Sequence, residues 1–323
     1  MFDELTAVRV AELYYDENKT QEEIGSLLRI TRWKVGRLLV QAREEGIVRI
    51  EIVHPRARRF AIERELCARF GLRDAVVVPA PSGDGIAAQA DIHTRVSQAA
   101  ADYLTALRPV PRTLGISWGR TLNEVAGHLG DGWATGITVV QINGGVTLNR
   151  RAGTAASTAA SIAQKASGEV VLLPSPAILE RLETKVAIEA DRTVAGVLEL
   201  AGDASAYLYS AGVADESSAL VDSGYLRAAD IDELVRKGAV GDVVGRYIDA
   251  NGNIVDPGLD ERTVGLGLEA LRRAELGIFV VAGLAKHDIA RAVVTNGLCT
   301  VVVTDEATAL DLLHTDNHSK ESI

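Results

Sequence analysis

Residues 113–122 read Thr113-Leu114-Gly115-Ile116-Ser117-Trp118-Gly119-Arg120-Thr121-Leu122. The apolar run predicts a short buried strand over 113–117, the small residues around Gly119 predict a tight turn, and the spacing over 122–129 predicts a helix. Strand, turn and helix in succession form half of a βαβ unit. Working outward, the same alternation recurs along most of the chain. Strands are predicted over 75–78, 137–142, 170–173, 206–210, 278–282 and 300–303. Helices are predicted over 87–107, 154–166, 186–200 and 288–295, with a last one over 305–313. This order predicts an α/β domain built on a mainly parallel sheet.

The chain has 323 residues, a length that suits about two domains. Its 47% hydrophobic and 24% charged residues are an ordinary globular mixture that excludes a disordered or rod-like chain. No apolar run approaches the ~20 residues of a membrane-spanning helix. The start, Met1-Phe2-Asp3-Glu4, lacks the basic and apolar regions of a secretory signal, so the expected location is the cytoplasm, with no membrane partner. Cys67 and Cys299 stand far apart with no partner at metal or redox spacing, which argues against a disulfide framework and a zinc site. Gly83-Asp84-Gly85 lacks the G-x-G-x-x-G run of a dinucleotide site. None of the six histidines falls in a triad or metal-ligand spacing, and His287, beside Lys286, is the one nearest the expected crevice. No catalytic residue, metal or cofactor is expected.

Taken whole, a formal charge of −10 argues against nucleic acid as a partner. The charge is unevenly spread. Residues 1–60 carry 11 basic and 10 acidic side chains, while residues 61–323 carry 23 and 34. From Arg29 through Arg43 there are five basic residues and no acidic one. The segment around this stripe predicts three helices and a strand. Leu5, Val8, Leu13 and Tyr14, with Ala7 and Ala11 beside them, mark the apolar face of the first helix. Thr20 caps the second, with Glu23 completing a capping box. Thr31 caps the third, which runs through Val35, Leu38, Leu39 and Ala42 and stops before Gly46; a strand over 47–53 follows.

Two helices joined by a tight turn, the second with Thr31, Arg32, Trp33, Lys34 and Arg37 near its start, meet the geometry of a helix-turn-helix. Its second helix enters the major groove of DNA. Arg and Lys donate to guanine or phosphate, and Thr donates to phosphate or touches a thymine methyl. Lys19 and Gln21, at the start of the second helix, suit backbone phosphates. Trp33 stays open between a base contact and the core, where an aromatic in a short helix more often sits. Residues 55–59 read as a basic hinge before a helix over 60–70. The expected organisation is a DNA-binding domain over 1–55, a linker helix over 56–70, an α/β domain over 71–314 and a loose polar tail over 315–323.

In open α/β sheets ligands bind beyond the carboxyl ends of the strands, so the residues that follow each strand are the candidates. Ser117, Trp118, Gly119, Arg120 and Thr121 form a turn opening a helix, with backbone N–H groups, two hydroxyls and a fixed cation suited to phosphate. Asn143, Gly144 and Gly145 follow the next strand. Lys286 opens a helix just past another, and Asp242, in a short Gly-bounded element, suits sugar hydroxyls.

The stretches Thr20-Gln21-Glu22-Glu23-Ile24, Val35-Gly36-Arg37-Leu38-Leu39 and Ala42-Arg43-Glu44-Glu45-Gly46-Ile47-Val48, with Gly115 to Leu122, Asn143-Gly144-Gly145, Ser223-Gly224-Tyr225-Leu226, Gly238-Ala239-Val240-Gly241-Asp242 and Val303 to Thr308, resemble the SorC family of bacterial sugar-responsive regulators. The motifs run in family order over nearly the whole chain. Two positions depart from the family pattern: Gly36, where many members have Ser, and Ala285, where a second Gly often precedes the Lys. The resemblance implies a winged-type helix-turn-helix domain followed by a domain related in fold to ribose-phosphate isomerases and glucosamine-phosphate deaminases. It implies a transcriptional regulator and not an enzyme, with operator DNA and a phosphorylated sugar or polyol as partners, acting as a homodimer or homotetramer. By that resemblance Ser117 to Thr121 and Lys286 would hold the phosphate, while Asn143, Gly144 and Asp242 would face the sugar. The alternative is a sugar-phosphate isomerase or deaminase with an appended helical domain.

Overall fold

The computed structural model describes residues 4–48, 58–80, 86–145 and 155–314. The chain divides into two compact units, Met1–His54 and Pro55–Ile323. The expected strand over 47–53, most of the hinge over 55–59, the Gly83-Asp84-Gly85 turn and the tail over 315–323 fall largely or wholly outside the described residues.

The first unit holds α1 (Glu4–Tyr15), α2 (Gln21–Leu28) and α3 (Arg32–Glu44). At the start of α2 the Thr20 hydroxyl accepts from the Glu23 N–H at 3.3 Å and the Glu23 carboxylate accepts from the Thr20 N–H at 2.8 Å, the expected capping box. Thr31 caps α3 by accepting from the Lys34 N–H at 3.2 Å. Ala7, Val10 and Leu13 of α1 pack with Ile24, Val35, Leu38, Leu39 and Ala42 into one small core. Of the expected stripe, Ala7, Ala11 and Leu13 are buried, whereas Leu5 is 84% exposed and Tyr14 36%, and Val10, not expected there, is fully buried.

The second unit opens with α4 (Phe60–Phe70), followed by β1 (Asp74–Val78), α5 (Ile86–Ala106), β2 (Thr113–Ile116), α6 (Arg120–His128), β3 (Thr138–Gln141), α7 (Ala155–Lys165) and β4 (Glu169–Val171). Next come α8 (Leu182–Glu189), α9 (Arg192–Gly202), β5 (Ala206–Tyr209), β6 (Ala211–Val213), α10 (Ala219–Asp222), α11 (Ala228–Arg236), β7 (Gly241–Val243) and β8 (Arg246–Ile248). The unit finishes with α12 (Pro257–Asp260), α13 (Leu268–Arg272), β9 (Gly277–Val280), α14 (His287–Thr295), β10 (Val301–Asp305) and α15 (Glu306–His314). Seven strands form a parallel sheet in the order β1-β10-β9-β5-β2-β3-β4. Alternate residues of each strand feed opposite cores. Ala75, Val77, Val140, Tyr207 and Phe279 lie on one face, and Val76, Val78, Val139, Leu208 and Ile278 on the other. The mainly parallel α/β fold expected from the strand and helix order is the fold observed. No helix among the described residues is long and apolar enough to cross a membrane.

Besides α10, α11, α12 and α13, which lie where no helix is predicted, three elements differ from expectation. The single helix predicted over 186–200 is two, because Asp191 accepts from the Thr193 N–H at 2.9 Å and caps α9 as a fresh start. A small antiparallel sheet, β6-β7-β8, lies beside the main one. The helix expected as a linker packs on β1 inside the second unit, with Glu63 and Leu66 buried. Glu63 accepts from the Val77 N–H at 2.9 Å and from Arg58 Nε at 2.8 Å, and the Arg59 N–H donates to the Val77 carbonyl at 2.9 Å. These contacts close the free edge of β1, which would otherwise offer unpaired backbone groups.

Glu63→Ala leaves the Val77 N–H and Arg58 without their acceptor. It should lower stability by about 2–3 kcal/mol, read as a lower urea midpoint of the full chain, with Glu63→Gln losing less because an amide oxygen still accepts from Val77.

Candidate functional site

The carboxyl ends of β2, β5 and β9 converge on a cavity of about 70 Å³. Its walls come from the loop Ser117 to Thr121, from Ser210 to Val213, from Ser217 to Ala219, and from Asp242 and Lys286. Ser117 continues the β2 ladder by one bond, its N–H donating to the Leu208 carbonyl at 3.1 Å. The chain then turns at Gly119, whose φ of 133° only glycine adopts without strain. No side chain caps the N-terminus of α6, so its first-turn N–H groups are open to an anion. Arg120 is exposed at that same end.

Lys286 arrives from the other side, after β9, on a single 3₁₀ turn spanning Leu284–Lys286. Its Nζ lies 3.5 Å from Ser210 Oγ. Burial, and secondarily the charge of Arg120, pull the Lys286 ammonium down to about 8, while Asp242 opposes the shift. Asp242 sits on β7, only 4% exposed, and accepts from the Gly245 N–H at 3.0 Å. Room for its carboxylate exists because residue 212 is glycine: a Cβ there would come within 2.1 Å of Asp242 Oδ1. Burial pushes the Asp242 carboxyl up to about 6 against the pull of the Gly245 N–H and of Lys286.

Of the residues expected at a ligand site, Ser117, Trp118, Gly119, Arg120, Thr121, Asp242 and Lys286 line this one cavity. Asn143, Gly144 and Gly145 do not. They form a seam instead: the Trp118 indole N–H donates to the Gly144 carbonyl at 3.0 Å, and the Gly145 N–H donates to the Ser175 carbonyl at 2.8 Å. Asn143 is 1% exposed, and neither its amide oxygen nor its amide nitrogen has a partner. Sequence reasoning missed Ser217 and Ser218, which no strand signal marks. It also missed His93 on α5, whose imidazole burial and the charge of Lys286 hold below its usual range, with Glu124 and Asp305 opposing. The arrangement offers fixed cations and backbone N–H groups for an anion, plus a buried carboxylate and hydroxyls for a polyhydroxylated body.

In the first unit, Thr31, Arg32, Trp33, Lys34 and Arg37 are all exposed. Gln21 and Arg32 line both shallow surfaces of the helix pair, one shared with Lys19 and Tyr15, the other with Trp33 and Arg37. Thr31 and Lys34 line neither. Lys19 Nζ stands 3.4 Å from the Glu17 carboxylate. Trp33, 85% exposed, is not part of the core. Val40 and Gln41 share its surface and were not foreseen.

Residues 54–314 match the family model Sugar-bind, a sugar-binding domain. The chain is 30% identical over 308 residues to the deoxyribonucleoside regulator of Bacillus subtilis, covering 95% of this chain and 97% of that one. It is 26% identical over 319 residues to the erythritol catabolism regulatory protein EryD of Brucella abortus, covering 98% of each. Among solved structures, the full-length sorbitol operon regulator SorC from Klebsiella pneumoniae superposes with a TM-score of 0.70 at 26% identity, covering 96% of this chain and 99% of that one. A sugar-binding domain match over most of the chain and full-length likeness to regulators lead to one conclusion: the chain belongs to the SorC family of sugar-responsive transcriptional regulators.

Proposed function

We propose that this chain is a DNA-binding repressor of a carbohydrate catabolic operon, released from its operator when a phosphorylated sugar or polyol binds the second unit. The observation that carries the effector reading is the meeting of Arg120, the uncapped start of α6 and Lys286 around one cavity that also holds the buried Asp242. Two cations and a row of free N–H groups suit a phosphoryl group. Asp242, with Asn143 behind the seam, suits sugar hydroxyls. Lys19, Gln21, Thr31, Arg32, Trp33, Lys34 and Arg37 make the DNA surface, supported by exposed cations and by the regulators this chain resembles.

The link between the two events is thermodynamic. Two copies of α3, carried by a homodimer or homotetramer, must be spaced to match two half-sites. An effector that binds more tightly to a differently spaced arrangement lowers operator affinity by that difference in binding free energy. The protein acts without turning over its ligand.

A band-shift on the DNA upstream of the gene, with and without phosphorylated sugars and polyols, tests this reading directly. A retarded band that one of these compounds abolishes is expected, and no band at low salt would sink the proposal. Arg120→Ala and Lys286→Ala should keep the band and lose the response. Arg32→Ala should relax sequence preference by about 1–3 kcal/mol, whereas Lys19→Ala should weaken all sequences alike and reduce the salt slope.

Acidity gives a second check. A phosphate monoester carries its second charge above roughly pH 6. Lys286 loses its proton from about 8, so effector affinity should fall as pH rises past that value, and Lys286→Arg should remove the fall because guanidinium stays charged. For Asp242 the folded value is raised to about 6 from an ordinary 3.8, so the native state holds the extra proton between them. Stability contributed by this group is present below the lower value and is lost as pH rises through the upper one. Asp242→Asn should therefore be more thermostable than the parent at pH 7 without effector, and the two should converge near pH 4.

A further inference from the structure

Among the described residues, one face of α3 takes no part in the core of the first unit. Val35, Leu38, Leu39 and Ala42 are buried, and the opposite face presents Trp33, Gly36, Arg37, Val40 and Gln41 at helical i, i+3, i+4, i+7 and i+8 spacing. Trp33 is 85% exposed and Val40 44%, and with Gln21 from α2 and the flanking Arg32 and Arg37 they line a shallow groove of about 470 Å³. Between the two apolar side chains lies Gly36, where a Cβ would have only the Gln21 side chain, at 3.4 Å, for a neighbour. The face is thus notched at its middle, apolar on both sides of the notch and cationic at its margins.

Phosphate contacts alone need no apolar groups. A large indole held in water on a cationic helix instead matches the one apolar feature that base edges show in the major groove, the C5 methyl of thymine. The charge supports duplex DNA over a protein occupant, since no carboxylate falls between Arg29 and Arg43. Trp33 and Val40 are seven residues apart, about 10 Å along a helix axis. That is roughly three base steps at 3.4 Å per step.

Resting on the reading of this unit as an operator binder, we propose that Trp33, with Val40 across the Gly36 notch, reads thymine methyl groups, so that the preferred half-site is fixed by thymines as well as by the bases that Arg32 and Arg37 address. The indole supplies apolar area for the methyl, and the missing side chain at residue 36 lets the helix settle close to the base edges.

The test uses the full-length chain and duplexes selected from a random library at near-physiological salt. Each selected duplex is then remade with uracil for thymine, which removes the methyl and leaves every hydrogen-bonding group in place. Fluorescence anisotropy should show the parent protein losing about fourfold in affinity per contacted methyl. Trp33→Ala should keep only the smaller thymine preference that Val40 supplies, Trp33→Ala with Val40→Ala should bind both duplexes alike, near the parent's affinity for the uracil form, and Trp33→Phe should recover part of the difference. Arg37→Ala should weaken both forms while keeping their ratio. Because Trp118 and Trp133 are buried, iodide quenching of fluorescence reports chiefly on Trp33 and should fall when DNA binds. Equal binding of thymine and uracil duplexes by the parent overturns the proposal, as does an undiminished thymine preference in Trp33→Ala. A change in oligomeric state on Trp33→Ala with unaltered DNA binding also overturns it, by assigning the face to a second copy. If the parent binds no duplex even at low salt, the operator reading itself fails and the methyl reading falls with it.

Discussion

Parallel pairing of β9, β5 and β2 lets three distant pieces of chain deliver their next residues to a single edge of the sheet. Lys286 follows β9, Ser210 follows β5, and Ser117 with Arg120 follows β2. Antiparallel neighbours would put successive strand ends on opposite edges and scatter these groups. Everything at the candidate effector site is secondary to that alignment. The Lys286 to Ser210 approach, the open start of α6 and the position of the small sheet bearing Asp242 all presuppose strands that run the same way and stop together.

That gathering carries a cost in the free protein. Lys286 and Asp242 both sit where burial disfavours their charged forms. Among the described residues, the buried side-chain polar atoms without a partner belong to Asn143, His287 and Thr304. Asn143 lies just past β3 and Thr304 near the end of β10, while His287 opens α14. An unpaired buried polar group costs about 1–3 kcal/mol, and folds concentrate such unfavourable groups where function needs them. For Lys286 and Asp242, which line the cavity, a polyhydroxylated anion is chemically suited to relieve that cost, through charge at one end and paired hydroxyls at the other.

The division between what the residues announced and what they hid follows from range. The seven parallel strands are legible because strands buried on both faces appear as short unbroken apolar runs such as Val76 to Val78 and Val301 to Val303. The loops after them inherit that legibility, which is why Ser117 to Thr121 and Lys286 are marked in the chain, whereas Asp242 is marked only by its flanking glycines. The strands of the small antiparallel sheet are three residues each, too short to show a period of two. On α1 the inward positions Ala7, Ala11 and Leu13 were legible, but Val10 in place of Leu5 and Val8 was not, because the three are equally apolar and only packing decides which faces in. His93 was hidden because α5 meets the site across the fold, and no local pattern records which charges a half-buried imidazole will face.

The charge distribution sets a limit on how the DNA surface works. Residues 61–323 carry 23 basic and 34 acidic side chains, a body whose field opposes phosphate. On the proposed reading, attraction to DNA is therefore left to Lys19 and to the short stripe from Arg29 to Arg43, with its five cations. Affinity for arbitrary sequence grows with the number of phosphates neutralised. So small a set would leave non-specific binding weak at physiological salt, and if the first unit binds an operator as proposed, a larger share of that affinity must come from base edges. On the proposed reading, Arg32 and Arg37 would supply that share by hydrogen bonds, and Trp33 and Val40 by excluding water, a contribution that salt does not screen. An apolar patch in the midst of a cationic helix would then be the physical counterpart of the acidic body: the less the phosphates could hold, the more the methyls would have to.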